Sequence, residues 1–117
     1  MSILDVKWDP KEKKIARTAF DRAYQREMAE IKAALLDQIT KLKDDEKVWS
    51  IHNYLSECRA EVDRKYDYRY SQLILVFGRL LKEGYLKEED IVGLSDDKIK
   101  LIKVCHQINK SNIIHVC

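Results

Sequence analysis

Apolar side chains recur at Phe20, Tyr24, Met28, Ile31, Leu35, Ile39 and Leu42, at intervals of 4, 4, 3, 4, 4 and 3 residues. Tyr24 and Leu35 are eleven residues apart, as are Met28 and Ile39. An eleven-residue period corresponds to 3.67 residues per turn, a nearly straight α-helix with a slight right-handed drift. Carried to about Lys43, this helix is roughly 50 Å long at 1.5 Å per residue. One small domain cannot enclose such a rod. Only 3 Gly and 1 Pro occur among 117 residues, so tight turns are scarce and long helices are favoured throughout.

The helix ends are written in the sequence. Asp9, Pro10 and Glu12 form a start signal: an acceptor for an orphan backbone N–H, a proline at the first helical position, and a glutamate that reaches back to complete a capping box. The first helix is therefore expected over about 10–43, behind a short amino-terminal arm, 1–9. Lys43, Asp44, Asp45 and Glu46 make a polar break in which Asp44 or Asp45 can cap a second helix. That helix is expected over about 46–83, with Val48, Ile51, Leu55, Cys58, Val62, Tyr66, Leu73, Phe77 and Leu80 as its stripe. Arg69 falls on the stripe, which permits a bend near residues 68–71. Gly84 supplies the left-handed residue that ends a helix, with Tyr85 folding back on Leu80. Shorter helices are expected at about 86–92 and 95–108, the latter capped by Ser95, followed by a tail, 109–117.

Two antiparallel helices alone leave half of each stripe in water, and the carboxy-terminal helices are too short to cover them. A second copy of the chain solves this. The expected architecture is thus all-α: a homodimer whose paired hairpins form a four-helix bundle, each with a small helical head.

Several functions lack support. Lys and Arg total 22 against 20 Asp and Glu, a formal charge of +2 that sets up no strong field for nucleic acid. The interleaved Tyr66, Tyr68 and Tyr70 are read as packing at the bend with wet hydroxyls. No stretch approaches the roughly 20 apolar residues of a membrane span. The amino terminus lacks a secretory pattern, and Cys58, Cys105 and Cys117 show no paired spacing, so reduced thiols and a cytoplasmic setting are expected. Cys105 with His106, and His115 with Cys117, are poor zinc patterns, and no metal or other cofactor is expected. Neither a phosphate loop nor a nucleophile with its own base is present, so an enzyme is not expected.

One ridge of the second helix stands out. At about 100° per residue, His52, Ser56, Arg59 and Asp63 flank the apolar stripe, with Trp49 and Asn53 further round. Trp49 lies roughly 140° from the stripe centre, where burial within the hairpin is awkward. A large rigid ring beside oriented donors is what a protein-binding hot spot needs. Spacing alone also allows a simpler role, with Trp49 and His52 completing the dimer seam and Arg59 and Asp63 forming an i,i+4 ion pair.

The same helix carries a more specific pattern: Trp49-x-x-His52-x-x-Leu55-Ser56-x-x-Arg59-x-Glu61-x-Asp63-x-Lys65-Tyr66-Asp67-x-Arg69-x-Ser71. It resembles the fluorescence recovery protein family. Phe20-Asp21-Arg22-Ala23-Tyr24-Gln25-Arg26-Glu27 is similar to that family's first-helix signature, and Phe77 with Leu80-Leu81-Lys82-Glu83-Gly84 to its helix ending. The resemblance spans about residues 8–103. It implies an all-helical, cofactor-free dimer that binds photoactivated orange carotenoid protein in cyanobacteria, speeds its return from red to orange, and so restores phycobilisome fluorescence. It also implies that Trp49, His52 and Arg59 lie at or beside the dimer seam, and that the head, around Leu75, Phe77 and Lys103, contacts the client.

Some positions depart from the family pattern. Asn53 stands where the family usually has Asp, which removes a charge, and Leu75 where an aromatic can occur. The chain beyond Val104 extends past the usual family ending. These differences keep open a homologue serving another protein client in an organism without phycobilisomes, and a structural helical dimer or small chaperone.

Overall fold

A computed structural model describes residues 6–43 and 47–110, the side chains of 108–110 excepted. The described chain is helical: α1, Pro10–Thr40; α2, Val48–Lys65; α3, Leu73–Glu83; a 3₁₀ turn, Glu88–Ile91; and α4, Asp96–Lys110.

The expected start of α1 is present in atomic detail. Glu12 N donates to Asp9 Oδ1 at 2.8 Å and Asp9 N donates to Glu12 Oε1 at 3.2 Å, with Pro10 opening the helix. At the other end of α3, Gly84 takes φ 89°, and the N–H groups of Tyr85 and Leu86 return to Leu80 O. Ser95 Oγ accepts from Lys98 N at 3.3 Å, capping α4. The proposed caps Asp44 and Asp45 lie outside the described residues; α2 is described from Val48, where Lys47 supplies no side-chain cap.

The second long helix is not continuous. It divides into α2 and α3 around residues 66–72, and the cause lies in side chains that one straight helix cannot satisfy together. Phe20 of α1 makes edge contacts with the rings of both Tyr66 and Tyr68, at 5.4 and 4.8 Å between centroids. Arg69 pairs with Asp67. A straight helix would carry Arg69 into the apolar stripe. The expected bend is therefore a full interruption. The segment expected as a helix near 86–92 is a single 3₁₀ turn, and α1 stops at Thr40 rather than Lys43.

The core lies at one end. Ala16, Ala19 and Ala23 form a fully buried small-residue face on the first half of α1. Around them gather Trp8, Leu73, Ile74, Phe77, Leu80, Leu86, Ile91 and Ile102 in one cluster. Gly78 permits α3 and α4 to meet closely: a Cβ there would fall 2.4 Å from Cys105 Cβ. The second half of α1 and α2 project from this head as a two-helix stalk. The molecule measures 55 × 27 × 20 Å with a radius of gyration of 16.6 Å, against about 13 Å for a compact domain of its length.

Buried ion pairs tie α1 to the carboxy-terminal elements of the head. Glu12 of the capping box also accepts from Ser95 N and Lys98 Nζ, each at 2.9 Å. Burial pushes the Glu12 carboxyl up, but the Lys98 ammonium and the backbone donors outweigh it and hold the group below the usual carboxylate value. Asp90 is likewise pushed up by burial and then carried below its ordinary value by Arg26, which contacts it at 2.6 Å and also donates to Tyr85 O.

Candidate functional site

The stalk leaves much of its apolar surface uncovered. Tyr24, Met28, Leu36 and Ile39 on α1, and Val48 and Trp49 on α2, are all exposed. Between the two helices runs a groove of about 450 Å³, with Tyr24, Met28 and Ile31 on one wall and Leu55, Cys58, Val62 and Asp63 on the other.

Along α2 the singled-out residues lie on the surface. Trp49 is 71% exposed, and its ring meets that of His52 edge-on at 6.5 Å and 77°. Arg59 Nε lies 3.7 Å from Asp63 Oδ2, both side chains largely in solvent. Asn53 and Ser56 are also exposed. Arg59 and Asp63 line the groove, whereas Trp49 and His52 lie nearer the free end of the stalk. The ridge thus holds two local pairs, an aromatic one and a charged one.

On the head the three suggested contacts separate. Leu75 is 41% exposed. Lys103 is exposed and pairs with Glu88 at 2.7 Å, at the edge of a hollow of about 340 Å³ shared with Leu81, His106 and Gln107. Phe77 is 0% exposed, at the centre of the core, so it is not a surface contact. Its spacing on the α3 stripe reads correctly as apolar; which apolar residues face inward is set by how α4 packs across.

The cysteines differ from one another. Cys105 is a free thiol buried in the head, where burial pushes its pKa up. Cys58 is disulfide-bonded, contrary to the expectation of reduced thiols throughout. Single-sequence spacing misses this because separation along a chain carries no information on which sulfurs meet. The described residues contain no cluster of His, Cys, Asp and Glu able to hold a metal. His115 and Cys117 lie outside the described residues.

One constellation escaped the sequence reading. Lys65, 2% exposed at its side chain, lies between Glu27 at 2.7 Å and Glu83 at 2.6 Å. The Tyr66 hydroxyl donates to Glu27 at 2.8 Å, so it is not wet as expected, and burial first, then this carboxylate, raises its pKa far above the ordinary phenol value. Tyr68 is pushed up to about 12, chiefly by burial. Arg79 joins the same group through Glu83 at 2.8 Å and through Glu61. This network joins α1, α2 and α3 at the interruption. With Arg64 also pairing Glu61, the network holds three cations facing three carboxylates. Its role is positioning, since it sets the angle between stalk and head.

The sequence pattern described as "Photoprotection regulator fluorescence recovery protein" matches residues 8–106, nearly all of the described fold. The chain belongs to the fluorescence recovery protein family. It is 38% identical over 96 residues to the fluorescence recovery protein of Synechocystis sp., covering 82% of this chain and 88% of that one. The solved structure of the Fremyella diplosiphon fluorescence recovery protein superposes with a TM-score of 0.81 at 37% identity, covering 86% of this chain and 99% of that one. The Synechocystis structure gives 0.82 at 37% identity with the same coverage. The protein is therefore a homologue of a non-enzymatic photoprotection regulator. No described helix is long and apolar enough to cross a membrane.

Proposed function

We propose that the protein acts as a cytoplasmic homodimer that binds photoactivated orange carotenoid protein and accelerates its return to the orange state, restoring phycobilisome fluorescence. The family match across residues 8–106 carries this reading. The uncovered stripe along Tyr24, Met28 and Ile39, facing the groove walls Leu55 and Val62, supports the dimer: burying a few hundred Å² of such surface at about 25 cal/mol per Å² is favourable, and an isolated two-helix stalk cannot do so alone. Trp49, His52, Asn53, Ser56, Arg59 and Asp63 then form the rim of the seam and the docking ridge, with Leu75 and Lys103 as head contacts. A binding protein speeds relaxation when it holds the closing transition more tightly than the open state it first meets.

The test is to mix the protein with photoactivated carotenoid protein and follow colour recovery. Faster recovery is expected; an unchanged rate at saturating concentration rejects this client. A second reading, another protein client for the same dimer, draws on Asn53 and Leu75, where the family pattern is not kept. Under that reading Asn53→Asp restores activity toward the carotenoid protein that the parent chain lacks.

A further inference from the structure

The elbow between stalk and head carries a surface that neither the ridge on α2 nor the head contacts use. A chain of six rings passes through it, Tyr24, Tyr66, Phe20, Tyr68, Tyr70 and Trp8, each between 4.8 and 6.2 Å from the next. Phe20 and Trp8 are buried, whereas Tyr68 is half-buried and Tyr70 is 39% exposed. Two cations lie over the outer rings. Arg17 Cζ is 4.6 Å from the centroid of Tyr68 and 5.7 Å from that of Phe20, and Lys13 Nζ is 5.0 Å from that of Tyr70. We infer that this elbow, formed by Lys13, Arg17, Tyr68 and Tyr70, is a second docking surface, and that it takes a carboxylate-rich segment of a partner protein. None of the four lines the α1–α2 groove, so the inference rests neither on the dimer nor on the identity of the client.

Charge decides the kind of partner. Among the described residues, no carboxylate pairs with Lys13 or with its neighbour Lys14. The acidic groups beside them in sequence are engaged elsewhere: Asp9 caps α1 and Glu12 is buried against Lys98. Asp21 reaches Arg17 only at 3.4 Å, longer than a charge-assisted hydrogen bond, and both oxygens of Asp67 are held by Arg69. A guanidinium stacked on a ring has its plane fixed while its N–H edge stays open, and that edge matches a carboxylate with two parallel hydrogen bonds. The rings beneath are already packed on one another, so little side-chain freedom is lost when a partner arrives. Tyrosine and arginine are also the residue types in which binding energy concentrates. A nucleic acid would need open ring faces for its bases. Here Arg17 and Lys13 cover a face of Tyr68 and of Tyr70, which favours the acidic protein segment.

The test titrates the isotope-labelled full chain with a synthetic glutamate-rich peptide and follows the NMR spectrum. Saturable shifts are expected at Lys13, Arg17, Tyr68 and Tyr70. Arg17→Gln and Tyr70→Ala are each expected to weaken binding at least about tenfold. Arg17→Lys keeps the charge but loses the planar fork, and is expected to weaken binding by about threefold or more. Lys32→Gln removes an exposed cation further along α1 and is expected to change nothing. The Arg17 side chain is 57% exposed, so its variants keep the fold and carry the test even if Tyr70→Ala disturbs the elbow. Absence of a saturable shift by about millimolar peptide overturns the surface. Unchanged binding by both Arg17 variants overturns it as well. So does equal weakening by Lys32→Gln, which marks diffuse attraction to charge, and so does tighter binding of an oligothymidylate of the same net charge, which assigns the face to nucleic acid. The readout uses neither the dimer nor the carotenoid protein, so failure of either reading leaves this one standing.

Discussion

Lys65 is the side chain on which the angle between stalk and head turns. Its ammonium sits between two carboxylates in a site nearly closed to water, and taking such a charge out of water is tolerable only because both neighbours are opposite in sign and within hydrogen-bonding distance. Lys65→Met removes the cation and leaves Glu27 and Glu83 facing one another, so the expected loss is about 3–5 kcal/mol in urea denaturation. A loss below about 1 kcal/mol shows that solvent reaches the site. Trp49 is the opposite case. Its ring meets His52 and otherwise lies largely in solvent, so Trp49→Ala is expected to change monomer stability by no more than about 0.5 kcal/mol. The same change is expected to weaken self-association or client binding at least about tenfold, as a truncated aromatic anchor does. Unchanged binding by the Ala variant removes the ridge from the interface. Sequence reading distinguished these two residues only in part: the wheel put Trp49 outside the hairpin, but nothing local placed Lys65 against partners 38 and 18 residues away.

The helices themselves were largely legible, because their ends are decided by neighbours within four residues. The capping box at Asp9 and Glu12, the left-handed Gly84 and the Ser95 cap all occur where local chemistry puts them. The interruption at residues 66–72 was half legible: Arg69 on an apolar stripe warned of a bend, while the depth of the break depends on Phe20 of another helix. The alanine face of α1 gave no signal, since Ala16, Ala19 and Ala23 bury little area each and matter by letting helices approach. The α3–α4 contact works in the same way through Gly78. Gly78→Ala would drive a methyl into Cys105 Cβ and toward the Ile102 carbonyl, both on a helix backbone that cannot easily move. The expected cost is about 1–3 kcal/mol of stability in the head, measured as a lowered Tm. A Tm equal to that of the parent chain shows that α4 shifts to make room.

At the level of the molecule, an elongated shape with its core at one end makes the head carry most of the stability. The head is fastened by carboxylates whose pKa values lie below ordinary. For Glu12, Asp90 and Glu83, burial raises the pKa, and the paired Lys98, Arg26 and Lys65 with Arg79 lower it by more. A carboxylate with a depressed folded pKa contributes stability that is fully present above its unfolded value, near about 4, and is lost as pH falls through the folded value. Tm is therefore expected to stay level from neutrality to about pH 5 and to drop steeply below about pH 4. A Tm unchanged down to about pH 3 contradicts the assignment. The sequence by itself determined that the chain is helical, where most helices begin and end, and which apolar stripe was left wanting a cover, because those follow from backbone hydrogen bonding and residue period within a few turns. The tertiary structure alone decided which stripe residues face inward, that Phe77 is core rather than a surface contact, and which distant charges meet. Those outcomes depend on close packing and on the low dielectric of the interior, and both exist only after separate segments have met.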